Sequence, residues 1–185
     1  SSDNPVINWS KIFISPLEGF SSPPASINND DLPDPDDVPL ILHLVSELAA
    51  FERESDKVVA TEPLLQDALF GAHPAAEAVI AELDGKPVGM ALFFHNFSTW
   101  TGWRGLYLED LYVTPEARGA GVGKALLKHL AALAVARGCT RFEWSVLDWN
   151  EKAIAFYRSM GALPMKEWTV YRVTGEALAT LAEPG

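Results

Sequence analysis

The chain has 185 residues, 48% of them hydrophobic, and a formal net charge of −11. That length suits one domain over residues 1–185 with a proper core. The acidity argues against nucleic acid or an anionic membrane as partner, because both are gripped through basic patches. A single cysteine, Cys139, excludes an internal disulfide, and with no signal peptide or membrane-length apolar run a soluble cytoplasmic protein is expected.

In chain order, residues 11–17 read as a first strand. Residues 18–37 are rich in Pro, Ser, Asn and Asp without helical or strand period, which predicts an extended loop. Its acidic part, Asp30, Asp31, Asp34, Asp36 and Asp37, reads as a solvated run that ends at a helix start, with Asp36 or Asp37 as N-cap. Leu40, Ile41, Leu44, Val45 and Leu48 recur at helical spacing and predict an amphipathic helix over 38–54. Thr61 and Pro63 open a second helix that should stop at Gly71. Residues 76–83 and 87–97 read as strands joined by the hairpin signal Asp84-Gly85. After a turn at 99–105 come a strand over 106–113, a helix over 125–136 and a strand over 142–147. A short helix over 152–160 ended by Gly161, a strand over 168–173 and a last helical turn or two over 176–181 complete the chain. Strands joined by short turns pair antiparallel, and strands joined through helices pair parallel. The fold class is therefore α/β, with a mixed, mostly antiparallel sheet flanked by helices.

The most informative stretch lies between the strand at 106–113 and the helix after it: Arg118-Gly119-Ala120-Gly121-Val122-Gly123-Lys124. Glycines let a chain turn tightly and let a ligand approach the backbone closely. A helix N-terminus adds unpaired N–H groups and partial positive charge, and Arg118 and Lys124 add full charges. The turn therefore reads as a cradle for a pyrophosphate. The dinucleotide fingerprint fails because its third glycine is one residue early, and the P-loop fails because Arg118 stands at its first glycine and Ala125 at its hydroxyl. A tight connection that binds nothing is the plainer alternative, but three glycines and two cations exceed what a turn needs.

The pattern R-G-x-G-x-G between strand and helix resembles the acetyl-CoA motif of the GCN5-related N-acetyltransferase superfamily. The runs 107–113 (YLEDLYV), 146–150 (VLDWN) and 156–162 (FYRSMGA) resemble the diamine acetyltransferase family, which includes spermidine/spermine N1-acetyltransferase and thialysine N-epsilon-acetyltransferase. The runs 47–52 (ELAAFE), 98–100 (STW) and 147–150 (LDWN) are closer to the thialysine branch. Together the resemblance covers about residues 11–173. It implies the acyl-CoA N-acyltransferase (GNAT) fold, acetyl-CoA as co-substrate, a small cationic amine as partner and a homodimer. It also implies CoA contacts from Leu111, Tyr112 and Val113, from residues 118–124 (Arg118, Gly119, Ala120, Gly121, Val122, Gly123 and Lys124), and from Asn150 and Ala153. Amine contacts are implied for Phe51, Glu52, Glu109, Asp110 and Glu167. Two departures from the family are the insertion at 18–35 and a short link between Gly161 and Trp168.

Acyl transfer to an amine needs an uncharged nucleophile, but a primary amine of pKa about 10.4 arrives as an ammonium. Glu109 is the candidate to accept its proton, directly or through a water, since a carboxylate in an apolar strand is costly unless paired. Strand alternation sends Glu109 and Asp110 to opposite faces, leaving Asp110 either a structural hydrogen bond or a substrate contact. Under the resemblance the strand at 106–113 splays from its neighbour at 142–145, and a backbone N–H of residues 111–113 meets the thioester carbonyl. Tyr157 is the candidate acid for the leaving thiolate. A core tyrosine beside Ile154 and Phe156 is its plainer reading, and the registered Asn150 and Phe-Tyr-Arg segment favours catalysis. Asn150 can also cap its helix.

His43, His73, His95 and His129 show no metal-ligand spacing with one another or with Cys139, so no metal site is expected. Cys139 reads as a packed thiol. Trp100, Trp103, Trp144, Trp149 and Trp168 could form an aromatic substrate wall, although core or dimer-interface positions are the plainer reading. The sequence thus points to an acetyl-CoA-dependent N-acetyltransferase for a thialysine-, lysine- or polyamine-like amine. A catalytically silent CoA-binding module and a protein N-acetyltransferase are the alternatives.

Overall fold

The structure is a computed structural model describing residues 7–12, as backbone, and 33–184. The predicted loop at 18–37 and the far end of the predicted first strand lie mostly outside the described residues. The chain divides into two compact units, Ser1–Ser145 and Val146–Gly185.

The first unit is built on a five-stranded sheet in the order β1-β2-β3-β4-β5. The strands are β1 (Ile7–Ile12), β2 (Glu77–Leu83), β3 (Lys86–Ser98), β4 (Trp103–Val113) and β5 (Phe142–Trp144). The first four pair antiparallel and β5 joins β4 in parallel. The β2–β3, β3–β4 and β4–β5 pairs follow the connection rule, whereas β1 and β2 are joined through two helices and still pair antiparallel, because a connection that long can return the chain in either direction. The β2–β3 turn follows from Asp84 and Gly85, whose φ angles of 51° and 73° suit a two-residue hairpin of twist-matched type.

Helices cover both faces of this sheet. From α1 (Val38–Phe51) and α2 (Glu62–Phe70), Ile41, Leu44 and Leu69 pack with Ala78, Ile80, Met90, Leu92 and Tyr112. Residues of alternate parity, such as Gly89, Ala91 and Phe93, face the other side, where α3 (Val122–Ala136) lies. A Cβ on Gly89 would fall 2.8 Å from the Tyr112 carbonyl oxygen and 3.3 Å from a Val122 methyl. Glycine is therefore needed where β3 passes this carbonyl of β4, with the start of α3 packed close over the same spot.

The register of β4 breaks once. Leu92 pairs with Asp110 and Phe93 with Leu108, so Glu109 is an extra residue on β4, a β-bulge. Leu106 and Leu108 lie across from His95 and Phe93, on the α3 face. Past the bulge, Asp110 and Tyr112 lie across from Leu92 and Met90, on the α1 face. The bulge also marks where β5 stops: its pairs with Leu106, Tyr107 and Leu108 end at Trp144. The predicted strand at 142–147 is shortened to these three residues because a bulge bends its strand and ends local pairing.

Two helix ends differ from expectation. Asp37 occupies the N-cap position of α1, but capping starts earlier, where Asp34 Oδ1 accepts from Asp36 N at 2.7 Å and Asp37 Oδ2 accepts from Asp34 N at 2.9 Å. At the other end α1 stops at Phe51, three residues early. Arg53 adopts φ 63°, Glu54 N donates to Ala49 O and Arg53 N to Ala50 O. This is a Schellman ending with arginine where glycine is usual.

The second unit contains α4 (Glu151–Ser159) and α5 (Gly175–Leu181). The strand expected at 168–173 is not formed: these residues belong to no strand or helix, with Val170 81% and Tyr171 92% exposed. Apolar alternation makes a strand only where a sheet edge accepts it, and the unit has no strand among its described residues. The tryptophans are likewise not core, since Trp100, Trp103, Trp149 and Trp168 are exposed. Burial pushes the Cys139 thiol up, as a packed thiol requires. Among the described residues no helix is long and apolar enough to cross a membrane, and no group of three or more His, Cys, Asp or Glu could hold a metal ion.

Candidate active site

The glycine turn has the form a pyrophosphate needs. Gly119 and Gly121 have φ angles of 87° and 85°, in the left-handed region that excludes most side chains. Gly121 is the N-cap residue of α3, so the helix begins at Val122, earlier than predicted. A Cβ built on either glycine meets nothing within 4 Å. The space above the turn is open, and a side chain there would project into it. Unpaired N–H groups of the first turn of α3 point toward such a space. These residues fit a CoA pyrophosphate, with Lys124 exposed in the same first turn.

Next to the turn, β4 offers an open edge. From Glu109 to Val113 no described strand pairs with it on the β5 side. Thr114 N donates to Val88 O at 2.9 Å, toward β3. Backbone groups alternate sides along a strand, so Tyr112 faces β3 while Leu111 and Val113 face the open edge. Of the three residues predicted to make backbone contacts, Leu111 and Val113 thus turn their N–H groups to the open edge.

The carboxylates differ from expectation. Glu109 is exposed on the bulge, and the alternation that would oppose it to Asp110 is interrupted there. Asp110 is the half-buried one. Burial pushes its carboxyl up to about 6, with the charges of Glu109 and then Glu52 adding to the rise. Glu52, just past the end of α1, is itself raised by burial and by Glu54. Three predicted site residues on two elements are therefore close enough to feel one another.

Arg118 does not extend freely from the turn. Its Nε donates to Val113 O at 3.1 Å, and its guanidinium carbon lies 4.8 Å from the Phe51 ring centre and 5.7 Å from that of Tyr112. Burial raises the Tyr112 phenol, as does Glu47, while Arg118 opposes the rise. Glu47 was not singled out by the sequence. Its Oε2 is buried without a hydrogen-bond partner, and Oε1 lies 3.7 Å from His43 one helical turn away. An i, i+4 His–Glu pair was visible, but its approach to Tyr112 was not.

Behind the sheet, Arg137 at the end of α3 makes two bonds of 2.7 and 2.8 Å to Glu77, and both residues are buried. His95 Nε2 lies 3.3 Å from Arg137 Nη1, and Nδ1 lies 3.7 Å from Glu77 Oε1. The second distance would suit an ion pair, but burial and the Arg137 charge lower His95. The neutral ring, accepting from Arg137, is the form this site favours. This cluster ties the end of α3 to β2 and β3.

In the second unit, Asn150 Oδ1 accepts from Ala153 N at 3.2 Å and caps α4, as expected. Tyr157 lies on α4, its ring centre 5.5 Å from that of Phe156. Glu167 is exposed in the segment after Gly161.

Residues 42–162 match the Acetyltransferase (GNAT) family. Thialysine N-epsilon-acetyltransferase of Sus scrofa is 41% identical over 153 residues, covering 77% of this chain and 89% of the relative. L-ornithine N5-acetyltransferase of Arabidopsis thaliana is 32% identical, over 80% of this chain and 84% of the relative. Among solved structures, an integron cassette protein from the mobile metagenome of V. cholerae is similar with a TM-score of 0.70 at 29% identity, over 82% of this chain and 95% of that one.

Proposed function

The chain belongs to the Acetyltransferase (GNAT) family and is an N-acetyltransferase, and from that premise we propose direct transfer of acetyl from acetyl-CoA to a primary amine of a small cationic molecule. The family match runs from 42 to 162, across the division at Ser145, which supports one acetyltransferase domain. The backbone of residues 119–124 holds the pyrophosphate, with Arg118 and Lys124 as auxiliary charges. Leu111 and Val113 bind along the open edge of β4, and Asn150 and Ala153 add further contacts. Acetyl-CoA, when bound, supplies the activated acyl group.

The protein's own task is to move protons. Glu109 and Asp110 accept the proton of the incoming ammonium, directly or through a water. The Glu109 charge lies near enough to raise Asp110. An acceptor near pKa 6 is better matched to neutral pH than an ordinary carboxylate. Tyr157 returns a proton to the departing sulfur. Phe51 and Glu52 line the amine side, and Glu167 is a further candidate contact.

The observation that carries the amine reading is the position of Asp110. A carboxyl held on the α1 face, with Glu109 and Glu52 near enough to raise it, is relieved by a cation and worsened by an anion. The relatives named for thialysine and L-ornithine point to an amino acid with a terminal amine. Phe51, lacking a hydroxyl, tilts the choice the same way, by about 0.5–1.5 kcal/mol for one hydrogen bond. Steady-state kinetics on thialysine, lysine and spermidine at one pH and ionic strength test this. Higher kcat/KM for thialysine or lysine is expected, and a clear preference for spermidine would overturn the assignment. CoA binding with no turnover on any amine would instead favour a silent CoA-binding module. The expected assembly is a homodimer, which light scattering tests.

A further inference from the structure

We infer that Arg118, a residue of the CoA turn, is a positioning residue for the amine side: it brackets the end of α1 to the open edge of β4 and so sets where Phe51 and Glu52 stand. The inference rests on the acetyltransferase reading and goes beyond the charge that the turn motif would assign to Arg118. The bracket has three contacts. Arg118 Nε donates to Val113 O at 3.1 Å. The guanidinium lies against the Phe51 ring at 4.8 Å and near the Tyr112 ring at 5.7 Å. The first contact fixes the stem of the side chain on the strand, and the others fix its plane against one residue of α1 and one of β4.

The helix end needs such a hold. The last turn of α1 closes on Arg53 in the left-handed region, which an L side chain adopts only at a cost. Beyond it, Glu52 must sit near Asp110 although their charges repel. The repulsion pushes the end of α1 away from β4, the strained cap makes that last turn easier to open, and a cation held over Phe51 and tied to Val113 opposes both. A planar guanidinium can lie over a ring and donate from Nε at once, whereas an ammonium concentrates its charge and donors on one terminal atom and cannot hold the ring and the Val113 carbonyl in the same way. The residue that meets one substrate thereby sets the groove for the other.

Arg118→Lys separates the two roles, since it keeps the charge near the turn and removes both the stack and the Nε donor. The amine KM is expected to rise about two- to fivefold, the effect of losing one exposed cation–π contact, while the Kd for CoA by calorimetry changes less. Phe51→Leu removes the ring face from the other side. In the Arg118→Lys background it should add less to the amine KM than it does alone, since the two residues form one contact. Hydrogen exchange on the amides of residues 49–54, measured without substrates, should be faster in Arg118→Lys than in the wild type. An unchanged amine KM with weakened CoA binding, fully additive effects of the two substitutions, or unchanged exchange would each overturn the inference. Wild-type protein that acetylates no amine would remove the acetyltransferase reading instead. The substrate-free exchange comparison would then still decide whether Arg118 holds the helix end.

Discussion

Replacing Asp110 by Asn should make the protein more stable at neutral pH and less active. The folded protein holds this carboxyl at about 6, against an ordinary value of 3.8. A raised acid binds its proton more tightly when folded, so stability falls as pH rises through the window from about 3.8 to about 6 and stays low above it. The full difference corresponds to about 3 kcal/mol at about pH 8 and about 1 kcal/mol near pH 4.5. Residual solvent contact brings the expected gain at about pH 8 to roughly 1–3 kcal/mol. At about 2–4 °C per kcal/mol for a chain of this size, Asp110→Asn should melt about 2–12 °C higher than wild type at that pH, and by less near pH 4.5. Thermal denaturation at the two pH values measures this, and steady-state turnover measures the loss of kcat/KM. In wild type, kcat/KM should fall as pH drops through about 6, as the carboxyl group fills with protons. A lower melting temperature for Asp110→Asn at about pH 8, or the same gain at both pH values, would refute the idea that burial and neighbouring charge strain this carboxylate.

Gly121→Val should fold, because its Cβ enters open space, at a cost of about 1–2 kcal/mol for the left-handed backbone. It should lose measurable CoA binding in calorimetry, and unchanged affinity would displace the pyrophosphate from this turn. Tyr157→Phe should keep CoA affinity and lose roughly 10²–10⁴-fold in kcat, and a loss below about threefold with chemistry rate-limiting would return Tyr157 to a packing role. Arg137→Met should cost about 3–5 kcal/mol in denaturant unfolding by removing both guanidinium bonds to the buried Glu77 carboxylate, with most of that recovered by adding Glu77→Leu. A loss below about 1 kcal/mol would show that Glu77 finds water or another partner.

The parts of the fold visible in the sequence were those governed by local rules. Asp84-Gly85 demanded a hairpin, the glycines of residues 119–123 a tight turn, and Asn150 announced its helix. The sense of the β2–β3, β3–β4 and β4–β5 pairs followed from their connections, but that of β1–β2, joined through two helices, did not. The bulge at Glu109 was not visible, because nothing in Leu-Glu-Asp-Leu distinguishes a strand that slips by one residue from one that does not. That slip decides which carboxylate is half-buried, so the strand was located correctly while the alternation assigned to Glu109 and Asp110 was not. The segment 168–173 failed for a related reason: alternation specifies a face, not the sheet that must receive it. The bracket of Arg118 on Phe51 joins residues 67 positions apart, a separation on which local patterns are silent.

The open stretch of β4 has a consequence for solubility. A run of unpaired backbone groups on a strand edge is a template for any other extended chain, including a second copy of the same protein. Here the apolar residues Leu111, Tyr112 and Val113 would make an adhesive edge. One end carries a bulge with an exposed glutamate, and at the other Arg118 occupies the Val113 carbonyl. Both are devices that interrupt edge-to-edge pairing. A ligand short enough to fit between them can still reach the N–H groups of Leu111 and Val113, whereas an incoming strand would need the positions that Glu109 and Arg118 already block.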